Sequence, residues 1–255
     1  MREQRSQLTV FAVLLCANAL LAFLAYALGL LQGLPEGQEL SPSLANVPAW
    51  VLGLANAGII LVLYGLLGLA GLWCARKLEL PGVYREGAGW RRWVGRPMLL
   101  GLIVGGVISL ADLAFSTARD WDGFSHPPFP MSLIASATAG IGEEILYRAF
   151  VMSLWAFLWN LLLRRWRLTG LAIWIGNVAG ALVFAAAHLP AAMFLLGAST
   201  LAELPRAVLA ELLLLNGLLG LVAGERYARD GLVAAVGVHF WADIAWHVIW
   251  PLFAR

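Results

Sequence analysis

The sequence predicts an all-α protein, a polytopic membrane bundle of about seven to eight transmembrane helices. Three observations carry this prediction. Of the 255 residues, 61% are hydrophobic and 13% charged, about half the charge of an ordinary soluble domain. Apolar runs long enough to cross roughly 30 Å of hydrocarbon recur along the chain. Cations gather in alternate connections between those runs. With a mean hydropathy of +0.81, a water-soluble globule is excluded. The formal charge of +2 is too small, and too evenly set in the loops, to attract nucleic acid.

The first run, Leu8–Leu31, is too long for the apolar region of a signal peptide and is followed by no small-residue cleavage pattern. It reads as the first membrane helix. Six more runs follow, at Pro48–Cys74, Pro97–Ala118, Met131–Leu163, Leu171–Leu189, Ala207–Gly224 and Leu232–Pro251. The fourth is long for one crossing, about 50 Å at 1.5 Å per residue. It is tilted, protrudes, or is broken near Gly140 and Gly142. GxxxG spacings at Gly101/Gly105, Gly176/Gly180 and Gly220/Gly224 let helix backbones approach closely. Cys16 and Cys74 both fall in apolar segments and read as buried thiols rather than a disulfide. No soluble appendage is visible, so residues 1–255 form one membrane domain whose motif-bearing core is about 131–251.

Arg2 and Arg5, the cluster from Arg76 to Arg96, Arg164, Arg165, Arg167, Arg226 and Arg229 fall on one side of this topology. The other side has only Arg119, Arg206 and Arg255. The positive-inside rule then places the N-terminus in the cytoplasm and the C-terminus outside. The expected location is a prokaryotic inner membrane.

Five acids, Asp112, Glu143, Glu144, Glu211 and Asp243, lie within the spans, where a charge costs a few kcal/mol or more and needs a partner. In Glu143-Glu144-Ile145-Leu146-Tyr147-Arg148, helical spacing pairs Glu144 with Arg148 at i, i+4 and turns Glu143 about 100° away. Two carboxylates with one cation leave an excess negative charge that calls for a proton, a metal or a histidine. His188 ends an apolar helix after Phe184, and His239, Asp243 and His247 stand four apart on one face of the last run. An aspartate orienting a histidine recurs in catalytic and metal sites. His247, flanked by Trp246 and Trp250, reads as interfacial, and Asp112 and Glu211 as structural. His126 sits alone in a loop.

The ordered set Glu-Glu-x-x-x-Arg at 143–148, Phe-x-x-x-His at 184–188 and His-x-x-x-Asp at 239–243 resembles the three motifs of the CPBP intramembrane proteases. That family includes type II CAAX prenyl endopeptidases and bacterial proteins linked to bacteriocin processing and self-immunity. The similarity covers roughly residues 131–247. It implies that Glu143 is the general base, activating water together with His188, while Glu144 and Arg148 orient the centre. It makes His239 an oxyanion donor, helped in the family by an Asn where this chain has Asp243. An ionised aspartate accepts and cannot donate, so Asp243 either holds His239 as imidazolium, is itself protonated, or adds a carboxylate to a metal site. The absence of His-Glu-x-x-His leaves an ordinary zincin mechanism unsupported.

A glutamate-type endopeptidase without a cofactor is the preferred reading. Its substrate is a membrane-associated or lipidated peptide or protein, and its medium the lipid bilayer. The alternative cofactor is zinc, held by Glu143, His188 and His239, a ligand set that catalytic zinc sites use. Two other readings compete: an inactive membrane scaffold or immunity protein, and an ion- or proton-coupled carrier. Measured from the cytoplasmic ends of the spans, Glu143 lies about 30 Å deep, His188 about 26 Å and His239 about 12 Å. Tilt, a break at Gly140–Gly142, or a last helix starting before Gly231 is needed to bring them level.

Overall fold

The computed structural model describes residues 2–28, 46–116 and 126–253. These residues are mostly helical, with no β-strand among them. Among the described residues, seven helices are long and apolar enough to cross a membrane: α1 (Gln4–Ala27), α2 (Ala49–Lys77), α3 (Arg91–Ser116), α4 (Met131–Trp166), α5 (Thr169–Leu195), α6 (Arg206–Asp230) and α7 (Leu232–Leu252). The end of the first apolar run, Ala118 at the end of the third, and the loop cation Arg119 lie outside the described residues. Large apolar side chains such as Leu20, Val62, Leu66, Leu110, Leu162 and Leu214 are exposed on the outer faces. A surface of this kind is stable against lipid and not against water. The chain is an integral membrane protein.

α4 is the hub, packing against α1, α2, α5, α6 and α7. It does so without breaking at Gly140–Gly142, where the helix is continuous. What changes is its winding. From Ile145 to Met152 the backbone widens into a π-helix, a local form often found at functional positions. Its inward residues Ile145, Arg148, Ala149 and Met152 are fully buried, and Ala149 and Met152 join Phe184, Ala223, Tyr227 and Val238 in the main core.

Small residues decide which helices touch. A Cβ on Gly71 of α2 would land on the Ala149 carbonyl of α4. Gly101 and Gly105 of α3 admit the backbone of α7 at Val238 and Ala242, and Gly176 of α5 admits Met152 and Ala156 of α4. Gly220 and Gly224 of α6 seat Ala181 and Asn177 of α5. All three GxxxG pairs are therefore packing faces. Cys74 is buried as expected, but Cys16 is exposed on α1, because an apolar membrane helix turns one face to lipid.

The last helix begins at Leu232, not earlier, so an early start does not supply the level alignment. Instead the loop after α2 folds in to meet the α6–α7 turn. The amides of Leu232 and Val233 donate to the carbonyls of Gly82 and Val83, at 3.0 and 2.9 Å, and the Arg85 amide donates to the Asp230 carbonyl at 3.0 Å. Gly231 makes this possible. Its φ is +95°, and a Cβ there would lie 2.7 Å from the Tyr84 Cα. The turn is thus held inside the bundle, about 10 Å along α7 from His239.

Gly71→Ala is expected to destabilise the protein by about 1–3 kcal/mol, because the added methyl meets backbone that cannot yield. Gly58→Ala, in the same helix with open space around its Cβ position, is expected to be neutral or stabilising by up to about 1 kcal/mol. Thermal midpoints of the two variants in one detergent check the contrast.

Candidate active site

The site is built where α4 changes winding. Arg148, in the π-segment, reaches back one turn, and its Nε donates to Glu144 Oε2 at 3.1 Å, with both side chains inaccessible to solvent. This is the i, i+4 pair that the sequence predicts. The rest of the guanidinium enters a niche made by absent side chains. A Cβ on Gly180 would lie 3.4 Å from Nη1, and one on Gly220 3.2 Å from Nη2. The guanidinium carbon stands 5.1 Å from the Phe184 ring centre, within reach of a cation–π attraction that strengthens when desolvated.

The other oxygen of Glu144 faces α7. His239 Nδ1 lies 2.9 Å from Glu144 Oε1, and both groups are buried. A carboxylate already engaged by a guanidinium accepts only, so His239 donates from Nδ1. This fixes the ring and directs Nε2 to the opposite side. There it meets Glu143 Oε2 at 3.8 Å and Asp243 Oδ2 at 3.7 Å. Both distances exceed a direct hydrogen bond. Asp243 lies one turn beyond His239 on the same face, as expected.

Glu143 is turned away from the Glu144–Arg148 pair, and its side chain keeps 33% of its exposure. It lines a cavity of about 300 Å³ with Asn18, Tyr64 and Thr138. Its nearest imidazole is His239. No hydrogen bond or ion pair among the described residues joins it to His188. His188 lies just past the main body of α5, where the helix turns into the short segment Leu189–Leu195. Its Nδ1 is 2.9 Å from the Phe184 carbonyl oxygen, so Nδ1 carries the proton and Nε2 is free to accept. The Phe184 ring stands edge-on to both histidines, 4.9 Å from His188 and 5.4 Å from His239. Phe184 is thus the spacer between the two imidazoles and the wall of the Arg148 niche.

No three His, Cys, Asp or Glu side chains among the described residues are grouped so as to hold a metal ion. Glu143, His188 and His239, the set named for zinc, are not joined to one another as a group of three there.

The remaining histidines also meet. His126 Nδ1 is 3.1 Å from His247 Nδ1, and the His126 ring packs edge-on against Trp246. Burial pushes the His126 imidazole below its ordinary pKa, with the Asp112 charge opposing. His247 is therefore not simply interfacial. Its place in the series 239, 243, 247 put it on the face of the site, whereas nothing in the local sequence marked His126. Asn18, on α1, was also unmarked, because a lone polar residue in an apolar helix is an ordinary packing residue. Glu211 is buried in α6, and neither it nor Asp112 joins the group at His239.

A membrane-helix bundle that closes around a glutamate, arginine and histidine chain, with a second glutamate open to a cavity, has the makings of an intramembrane hydrolase. Residues 125–245 match the family model of type II CAAX prenyl endopeptidase Rce1-like proteins. That match, over just under half of the chain, supports the resemblance to the CAAX proteases that the motifs carry. The matched segment contains Glu143, Glu144, Arg148, His188, His239 and Asp243 and leaves α1 to α3 outside. No curated protein and no solved structure matches the chain.

Arg148→Met is expected to cost about 3–5 kcal/mol, because it leaves the Glu144 carboxylate buried without its cation. Glu144→Gln added to Arg148→Met is expected to restore part of that loss. A double-mutant cycle of unfolding midpoints measures the coupling, and strictly additive losses would overturn the pairing.

Proposed function

We propose that the protein is a glutamate-type intramembrane endopeptidase that hydrolyses a peptide bond in a membrane-associated or lipidated peptide or protein. The observation that carries this reading is the 3.8 Å gap between Glu143 Oε2 and His239 Nε2. A base and a donor stand side by side there, close enough to act on one attacking water and one scissile carbonyl together. Glu143 takes a proton as the water oxygen bonds to the scissile carbonyl carbon. The negative charge that develops on the carbonyl oxygen is met by the Nε2 proton of a doubly protonated His239, whose Nδ1 is held by Glu144. Glu143 then returns its proton to the amide nitrogen as the carbon–nitrogen bond breaks. His188, which does not touch Glu143, offers its free Nε2 to the attacking water as the resemblance implies, and Asp243 gives the His239 Nε2 proton an acceptor before substrate arrives.

Glu144 and Arg148 do no proton transfer in this scheme. They set the tautomer and angle of His239, as the carboxylate partner of an imidazole does in other hydrolytic centres. No metal enters any step. The distribution of cations supports an N-terminus in the cytoplasm.

The test is cleavage of a quenched fluorescent, lipidated peptide library by purified protein in detergent. Glu143→Gln is expected to lower kcat/KM at least about 100-fold, and His188→Ala to lower it strongly, with both variants still folded. Wild-type activity is expected to survive a metal chelator. Full turnover in Glu143→Gln would overturn the mechanism, and chelator-sensitive activity would establish a metal-dependent one.

Asp243→Asn separates an enzyme from a scaffold. A fall in turnover of about tenfold is expected for an Asp243 that serves as acceptor to His239. Activity that appears only in Asp243→Asn would identify the natural chain as an inactive scaffold or immunity protein.

A further inference from the structure

Asn18 lies midway along α1, outside the segment matched to the family. It is 1% exposed, yet neither its Nδ2 nor its Oδ1 has a hydrogen-bond partner. A buried side-chain amide with both ends unpaired is costly, and native structures rarely keep one without a reason. It also sits beside the chemistry. A Cβ on Gly142 would lie 2.7 Å from Asn18 Nδ2, so the glycine preceding Glu143 is what lets the amide come so close to α4. Asn18 and Glu143 line the same cavity, and Glu143 Oε2 likewise has no hydrogen-bond partner.

The shape of the cavity says what fits. It is bounded by α1, α2 and α4, and it runs along α4 from Glu143 to Ala135, about 12 Å of helix. That length takes roughly four residues of extended chain, and about 300 Å³ is at the lower end of ligand pockets. The chemistry of the amide is more specific. An oxyanion would use Nδ2 alone and leave Oδ1 buried without a donor. One residue of an extended chain turns its own N–H and C=O to the same side, and so satisfies both ends of Asn18.

We propose that Asn18 grips one residue of an extended substrate, donating from Nδ2 to that residue's carbonyl and accepting its N–H at Oδ1, and so holds the segment along α4 beside Glu143. The proposal rests on the protease reading above and adds a substrate-binding residue from the first helix. Tyr64 lines the same cavity and lies 3.3 Å from the Gly142 Cβ position, at the level of Asn18.

The experiment compares wild type with Asn18→Leu, a near-isostere, and Asn18→Asp, which keeps the acceptor and loses the donors. Thermal midpoints confirm that each variant is folded. The substrate is the library peptide cleaved fastest, together with analogues N-methylated at one backbone nitrogen each. Asn18→Leu is expected to raise KM about tenfold while kcat falls less than threefold, since two ordinary hydrogen bonds are lost from binding. One N-methyl analogue should be about tenfold poorer for wild type and no poorer than its parent for Asn18→Leu. An unchanged KM, a fall in kcat alone, or N-methyl penalties that persist in the variant would each overturn the proposal. If wild type cleaves no peptide, the protease reading fails separately, and a dansylated, farnesylated CAAX peptide is titrated instead. Binding that weakens in Asn18→Leu then supports the grip, and binding indifferent to Asn18, or none at all, overturns it.

Discussion

Glu144 has no access to solvent and sits in the middle of a membrane bundle. Its carboxylate tolerates that position only with a cation and a donor supplied from within the protein. Arg148 comes from the next turn of the same helix and His239 from the last helix. The two contacts occupy the two oxygens of one group. Much of the rest of the fold brings these three side chains together and keeps lipid from them.

The helices meet that demand largely through what they lack. α5 and α6 give the guanidinium room with glycines, α2 reaches the π-segment at Gly71, and α3 supports α7 through Gly101 and Gly105. Lipid tails are as apolar as leucine, so close backbone packing has to supply the association that hydrophobic burial supplies in water. The π-segment widens the same region of α4, and its buried Arg148 and Ala149 serve the site and the α2 contact. The clamp between the α6–α7 turn and residues 82–85 supplies the remaining constraint. Without it the start of α7, and His239 with it, would not be fixed in register against Glu144.

The seven crossings and the three motifs were legible because each rests on a local pattern. Apolar run length needs no tertiary knowledge, and i, i+4 spacing placed Glu144 on Arg148 and Asp243 beneath His239. The depth of the motifs was not legible, because helix stagger is set by the inward fold of residues 82–85, distant in sequence from His239. The change of winding at Ile145–Met152 was equally hidden, and Gly140–Gly142, where a break was one of three readings of the long run, are contact points for Phe240 and Asn18. The expected partnership of Glu143 with His188 came from resemblance. In the structure Glu143 faces His239 across a gap and His188 is fixed to Phe184. The meeting of His126 with His247, and the approach of Asn18 to Gly142, join residues more than a hundred positions apart. No window along the chain could show them.

The unequal helices that meet at this site fix how the protein sits in a bilayer. α7 is about 31 Å long, close to the thickness of hydrocarbon, whereas α4 is about 54 Å. Glu143 lies about 18 Å from the Met131 end of α4, and His239 about 20 Å from the Leu252 end of α7. The surplus of α4 therefore falls entirely on the opposite side. Even the steepest tilts usual for membrane helices, about 40°, leave roughly 11 Å of it beyond the hydrocarbon, carrying Arg164 and Arg165 into the headgroups. The short helix sets the level of the carboxylates, and the arginine-bearing end of the long one takes up variation in membrane thickness.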